Sequence, residues 1–121
     1  GRAVDHLTVS AAADQVVGSH DFSAFSVRSS ERPHKRCQIA SARWLERPGG
    51  VGLIFDIAGD RFLHHMVRML VGTMVDIGQG RRDSTDMQRL LALDPGLVTS
   101  PPAPAEGLFF VAADYSAEWF L

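Results

Sequence analysis

Apolar residues recur every three to four positions in two stretches of the chain, which is the spacing of an amphipathic helix. Residues 5–17 predict a first helix that ends at a glycine, and residues 62–77 predict the longest helix, closed by glycines just beyond it. A third, short helix is predicted after residue 83, ending near residue 93. Helices therefore lie at the start and in the middle of the chain.

Alternating or continuous apolar residues predict strands at 37–46, 51–58 and 108–115. The first two strands are separated by Pro48-Gly49-Gly50, a hairpin signal, and the second is apolar enough to lie centrally in a sheet. Residues 95–107 are rich in proline and alanine and predict an extended connector. The order of elements predicts an α+β fold with a mostly antiparallel sheet packed on one side by helices.

The composition fits a single domain over residues 1–121, with 45% hydrophobic and 21% charged residues. A single cysteine, Cys37, excludes an internal disulfide and a cysteine-based zinc site. No apolar run is long enough to span a bilayer, and the first residues do not resemble a secretory signal. We therefore expect a cytoplasmic protein without membrane contact.

The net charge of −2 argues against a strongly basic nucleic-acid binder, but the charge is unevenly distributed. Residues 28–47 carry six basic residues against two acidic ones, so one basic segment lies on an otherwise acidic chain. Arg28, Arg32, Lys35 and Arg36 are the candidates for phosphate contacts. Composition alone favours the alternative, a solvated polar face, by about two to one.

The helix predicted at 62–77 is apolar over most of its circumference, with one narrow polar stripe. Arg68 lies in this stripe, and a guanidinium on a largely buried helix needs a partner. Either a carboxylate or phosphate from outside the chain meets Arg68, or Asp56 or a carbonyl of the chain does. Spacing alone favours the second, structural interpretation. The stripe comprises Arg61, His65, Arg68, Gly72, Asp76 and Gln79.

Other polar positions have common structural explanations. His64 and His65 are adjacent, so on a helix their side chains diverge by about 100° and do not chelate one metal ion. The glycines and arginines at 78–82 suit a helix end better than a phosphate loop, and the prolines at 101–104 suit a rigid connector better than a polyproline ligand. Taken singly, none of these signals identifies a function.

Taken in order, the motifs resemble the C-terminal half of TruA-type tRNA pseudouridine synthases. The resemblance rests on GSHDFSAF at 18–25, the Arg36 element before a strand, FDIAGDRFLHHMVRMLVGTMVDIGQGR at 55–81 and APAEGLFFVAADY at 103–115. These blocks cover nearly the whole chain and occur in the family's order and at suitable intervals.

The resemblance implies an enzyme that isomerises uridine to pseudouridine in the anticodon arm of tRNA, without cofactor or metal. Family members act as homodimers and bind tRNA in a basic cleft, with a catalytic aspartate in the N-terminal half. By this resemblance, Arg68 matches the arginine that pairs with the aspartate, and Leu108 matches an apolar residue of the uracil pocket. The resemblance thus implies a carboxylate partner for Arg68 from a segment outside these residues.

The sequence departs from the family pattern in one large respect. It contains no RTDxGVHA-like stretch and no counterpart of the active-site tyrosine of the N-terminal half, and Met69 stands where relatives often have asparagine. We therefore expect this chain to be catalytically inactive by itself. The alternatives are a non-catalytic RNA-binding or dimerisation module that kept the fold, and an unrelated α+β interaction domain with a structural Arg68.

Overall fold

The computed structural model describes residues 3–26, 35–111 and 115–121. These residues form three α-helices and five strands, with short 3-10 turns at Ser23–Phe25 and Ala105–Gly107. In chain order the elements are α1 (His6–Val16), β1 (Gly18–Asp21), β2 (Arg36–Glu46), β3 (Leu53–Gly59), α2 (Met66–Gly78), α3 (Asp86–Leu91), β4 (Leu108–Val111) and β5 (Ser116–Phe120).

The five strands form one antiparallel sheet in the order β1-β2-β3-β5-β4. β3 is the central strand, as its apolar sequence predicts, although Ile54 and Ala58 on its second face remain partly exposed. The alternating side chains of β2 and β3 bury one face: Cys37, Ile39, Ala42 and Trp44 from β2, and Leu53, Phe55 and Ile57 from β3. The predicted α+β class with an antiparallel sheet is confirmed.

α1 and α2 build the helical layer over this buried face. The Asp5 carboxylate caps α1 by accepting the Thr8 N–H at 2.9 Å, and the Asp5 N–H donates to the Gly78 carbonyl at the end of α2. A Cβ at Gly78 would come within 2.5 Å of Val9, so the missing side chain allows the two helices to approach closely.

The predicted start of the long helix is wrong by four residues. α2 begins at Met66, because His65 adopts a left-handed conformation with φ of 62°, which a continuous right-handed helix does not contain. Its end is as predicted. Gly80 is left-handed, its N–H donates to Ile77 and the Arg81 N–H donates to Asp76, which together form a Schellman cap.

The predicted last strand, 108–115, begins at the expected residue, but β4 ends at Val111 and the prediction of a single strand is wrong. The chain forms β4 over Leu108–Val111, passes Tyr115 at a positive φ of 46°, and returns as β5 over Ser116–Phe120. A left-handed residue reverses the chain direction instead of extending the strand. The return strand β5, which the sequence analysis missed, lies between β3 and β4.

The short helix α3 follows a turn that the Asp83 side chain holds. α3 has Thr85 as its N-cap residue, and the Asp83 side chain accepts the Thr85 N–H at 2.8 Å rather than capping the helix directly. None of the helices in the described part of the chain combines the length and apolar character that a membrane span requires.

Candidate active site

The connector between α3 and β4 lies directly on the polar stripe of α2. The Ser100 N–H donates to the Thr73 hydroxyl at 3.1 Å. A Cβ built on Gly72 would lie 2.1 Å from the Pro101 carbonyl oxygen, so only glycine permits this approach. The proline-rich segment is therefore a packed element of the structure, as the connector interpretation predicts.

Arg68 and Ala103 hold the connector to α2 through two hydrogen bonds. The Arg68 Nε donates to the Ala103 carbonyl at 2.7 Å, and the Ala103 N–H donates to the Arg68 carbonyl at 2.9 Å. Asp56, the other partner considered from sequence, instead pairs with Arg43 at 3.2 Å. Of the two internal partners, the carbonyl is therefore the one that the structure provides.

The Ala103 carbonyl satisfies one of the five N–H donors of the guanidinium. Among residues 3–26, 35–111 and 115–121, no carboxylate forms an ion pair with Arg68. The side chain is half-buried and its Nε bond fixes the plane of the guanidinium. Arg68 is thus a fixed, charged donor with its terminal nitrogens available to a further acidic group.

The two histidines before α2 lie next to Arg68. Their rings stack with centroids 4.1 Å apart and planes 19° from parallel, in place of the divergence that a helix would impose. The expectation that their side chains diverge is wrong because His65 is left-handed. Partial burial, the His64 ring and the Arg68 charge, in that order, hold the pKa of His65 below its ordinary value.

Leu108, the predicted pocket residue, begins β4 and is partly buried against the core. Its strand partner is Trp119, whose indole N–H donates to the Pro104 carbonyl at 3.0 Å. A Cβ on Gly107 would come within 2.7 Å of the Trp119 ring. The indole therefore fixes the turn that delivers the chain from the connector to Leu108.

A second arginine, Arg82, holds the other end of the connector, and the sequence analysis missed it. Its guanidinium donates to the Asp86 carboxylate at 2.9 Å, to the Ser100 hydroxyl at 3.1 Å and to the Val98 carbonyl at 2.7 Å. The spacing of four residues between Arg82 and Asp86 is the signal that could have revealed the ion pair.

Two of the four predicted RNA contacts, Lys35 and Arg36, lie within the described residues. Arg28 and Arg32 lie outside the described residues. Lys35 and Arg36 lie at the start of β2, where the Arg36 guanidinium donates to the Ser19 carbonyl at 3.2 Å. Arg61 donates to the Arg36 carbonyl at 3.3 Å, so this residue, predicted in the stripe of α2, joins the basic group.

No group of three or more His, Cys, Asp or Glu side chains that could hold a metal ion occurs among the residues the structure describes. The candidate site therefore consists of the Arg68 guanidinium, the connector that holds it and the neighbouring histidine stack, and Leu108 follows at the end of the same connector. Such a site can orient and stabilise an anionic group, and it can pack an apolar surface against a planar ligand.

Comparison with known proteins identifies the class to which this fold and site belong. A family model described as tRNA pseudouridine synthase matches residues 12–116, which include the helix with Arg68 and the strand with Leu108. The chain belongs to the tRNA pseudouridine synthase family.

Three curated relatives share one name, tRNA pseudouridine synthase A. The protein from Leuconostoc citreum is 33% identical over 112 residues, which are 93% of this chain and 43% of the relative. The protein from Stenotrophomonas maltophilia is 35% identical over 120 residues, 99% of this chain and 46% of the relative. The protein from Chlorobium luteolum is 40% identical over 102 residues, 84% of this chain and 40% of the relative. The chain thus spans less than half the length of these curated relatives.

Proposed function

We propose that this chain is the C-terminal half of a tRNA pseudouridine synthase that acts on uridines of the anticodon arm, in the cytoplasm and as a homodimer. In this proposal the chain supplies Arg68 and Leu108, and the rest of a longer protein supplies the catalytic aspartate. No cofactor is required. The chain by itself is expected to be inactive, because none of its aspartates matches that catalytic position.

The state of the Arg68 side chain is the observation that carries the proposal. Its Nε is fixed by the Ala103 carbonyl, and no carboxylate of the described residues pairs with it. An arginine held in place on a largely apolar helix, with its terminal nitrogens available, is prepared for an acidic partner. The resemblance to TruA-type synthases makes an aspartate the expected partner.

In the reaction, the bond between N1 and C1′ of uridine breaks, the base rotates, and a bond forms between C5 and C1′. The proton on C5 is lost and N1 gains one, so no electrons enter or leave. A carboxylate acting as nucleophile or base at C1′ or C6 must be ionised. Arg68 would keep it ionised, because a guanidinium in contact lowers the pKa of a carboxyl group. Leu108 would pack against the target base.

Backbone contacts with tRNA are proposed for Arg28, Arg32, Lys35 and Arg36. The excess of positive charge in this segment supports the proposal. Replacing all four by glutamine should weaken tRNA binding and flatten the dependence of log affinity on log salt, by about 0.9 per lost phosphate contact. An unaltered salt slope in a filter-binding titration would exclude them as phosphate contacts.

The direct test of the function maps the product. Transcribed tRNA is incubated with this chain together with a separately produced N-terminal half, and pseudouridines are located by chemical labelling and primer extension. We expect modification confined to the anticodon arm. Modification elsewhere would disprove the anticodon-arm assignment. Binding of tRNA without any pseudouridine would identify a non-catalytic RNA-binding module instead.

A further inference from the structure

The histidine stack is a local structure that the chain maintains against its backbone preferences. His65 has φ of 62°, a left-handed conformation that residues with a Cβ seldom adopt. This conformation brings the His64 and His65 rings face to face, with centroids 4.1 Å apart. Adjacent side chains on a regular helix would point about 100° apart. The unfavourable backbone conformation and the ring stack therefore occur together.

The two rings make no hydrogen bond to any other residue in the described ranges, in contrast to His6 and His20, which each contact a backbone carbonyl. One face of the His64 ring lies against His65, and the His64 residue is exposed, so its side chain is accessible to a ligand. The stack directly precedes α2, and Arg68 lies in the first turn of this helix, close enough for its charge to act on His65.

We propose that the His64–His65 stack is a nucleobase-stacking site at the edge of the Arg68 site, which receives a base next to the target uridine. This inference rests on the proposed function, because it takes the ligand to be RNA. A base that leaves its helix loses its stacking partners, and the neighbours of a flipped base are exposed in the same way. Proteins offset this loss by stacking unpaired bases on aromatic rings, histidine among them.

The surroundings of the pair favour a base over a phosphate or a metal ion. Partial burial, the charge of His64 and the charge of Arg68, in that order, lower the pKa of His65 and so disfavour the cationic form that would bind a phosphate, while the stacked ring geometry offers an aromatic surface. A metal ion would need further ligands, and the described residues contain no third His, Cys, Asp or Glu grouped with this pair. With a phosphate and a metal ion disfavoured, the exposed His64 ring is the surface that can bind a planar ligand.

The stacking site can be tested on this chain by NMR with a single-stranded uridine-containing pentanucleotide as the probe. We expect saturable upfield shifts of the His64 ring protons and of one base of the probe, as ring currents produce in a stack. His6 is the internal reference, because it lies near the opposite end of α2, where the Asp5 N–H meets the Gly78 carbonyl. Unchanged His64 resonances at saturating probe concentration would overturn the proposal.

A matched pair of substitutions at one position separates stacking from hydrogen bonding. His64→Phe keeps an aromatic face and should bind the probe within about twofold of the unsubstituted chain, whereas His64→Gln should bind about tenfold more weakly. If phenylalanine weakens binding as much as glutamine does, or if neither changes it, the stacking site is wrong. Circular dichroism checks that both variants remain folded.

The same variants distinguish a failure of this inference from a failure of the proposed function. If the unsubstituted chain with its N-terminal half forms pseudouridine, but both His64 variants match it in kcat/KM, the function stands and the stacking site is refuted. If no pseudouridine forms while the probe still shifts His64 with the expected difference between phenylalanine and glutamine, the stacking site stands and the enzymatic proposal fails.

Discussion

Arg68 and Arg82 hold the two ends of the same connector, yet their environments differ. The Arg82 side chain is 15% exposed and donates to a carboxylate, a hydroxyl and a carbonyl, so its charge is compensated within the chain. Arg68 donates to one carbonyl and has no carboxylate partner among the described residues. The comparison separates an arginine that stabilises the fold from one that is positioned for an external acidic group.

The largest expected effect comes from removing each guanidinium in the complete enzyme. Arg68→Ala should lower kcat/KM for tRNA by about 100-fold or more, because a lost charge-assisted contact in a closed site costs about 3 kcal/mol or more. The free energy of unfolding should fall by only about 1 kcal/mol, from the lost hydrogen bond to the Ala103 carbonyl. Measurements of turnover and of urea unfolding on the same preparation compare the two effects, and full turnover in this variant would refute the role of Arg68.

Arg82→Ala should show the opposite pattern. It leaves the Asp86 carboxylate, 11% exposed, without its partner, so the free energy of unfolding should fall by about 3 kcal/mol. Turnover measured well below the melting temperature should remain close to that of the unsubstituted enzyme. A variant with unchanged stability and lost turnover would mean that the roles of the two arginines are reversed.

Gly72→Ala would test whether the connector packs against α2 as closely as described. The new methyl group would overlap the Pro101 carbonyl, 2.1 Å from an ideal Cβ, and displacing the connector should cost about 2 kcal/mol even after the gain in helix propensity. Val98→Ala, at an 80% exposed position of the same connector, is the control and should be neutral. If Gly72→Ala is as stable as this control, the connector is not packed as described.

Trp119→Phe should have a smaller effect on the same region. It removes the indole N–H that donates to the Pro104 carbonyl, a loss of about 1 kcal/mol from the hydrogen bond alone, together with the indole atoms that lie against Gly107. Thermal unfolding measures the cost. A more stable variant would show that this hydrogen bond does not hold the turn before Leu108.

The smallest effect is a change in the pKa of His65. Partial burial, His64 and then Arg68 lower this pKa, so Arg68→Ala should raise it towards its ordinary value while Arg82→Ala leaves it unchanged. Because the folded state binds this proton less readily than the unfolded chain, stability from this group is complete above about pH 6.5 and declines as the pH falls towards the lowered pKa. An NMR titration of the His65 ring that shows equal pKa values in both variants would contradict the assigned proximity to Arg68.

Periodicity predicted the fold class, because the buried faces of α2, β2 and β3 repeat apolar residues at helical or alternating spacing. It failed at His65 and Tyr115, where a left-handed residue ends or reverses an element. Neither residue type signals a positive φ, which here comes with tertiary contacts such as the histidine stack. For the same reason the strand β5 was missed.

The candidate site was only partly predictable. The polar stripe of α2 drew attention to Arg68, whose catalytic role stays a prediction, and it contains Gly72, where the connector approaches the helix closely. The partner of Arg68 is a backbone carbonyl from 35 residues away, and every residue type offers the same carbonyl. No side-chain pattern could have selected Ala103. The role of Leu108 and of the basic residues stays a prediction.

Tritium release from tRNA labelled at C5 of uridine would show whether Arg68 works with a carboxylate from outside this chain. We expect no release with this chain alone, release on addition of a separately produced N-terminal half, and loss of that release with Arg68→Ala but not with Arg82→Ala. Release by the chain alone, or undiminished release with Arg68→Ala, would contradict the claim that Arg68 completes its site with a carboxylate from outside this chain.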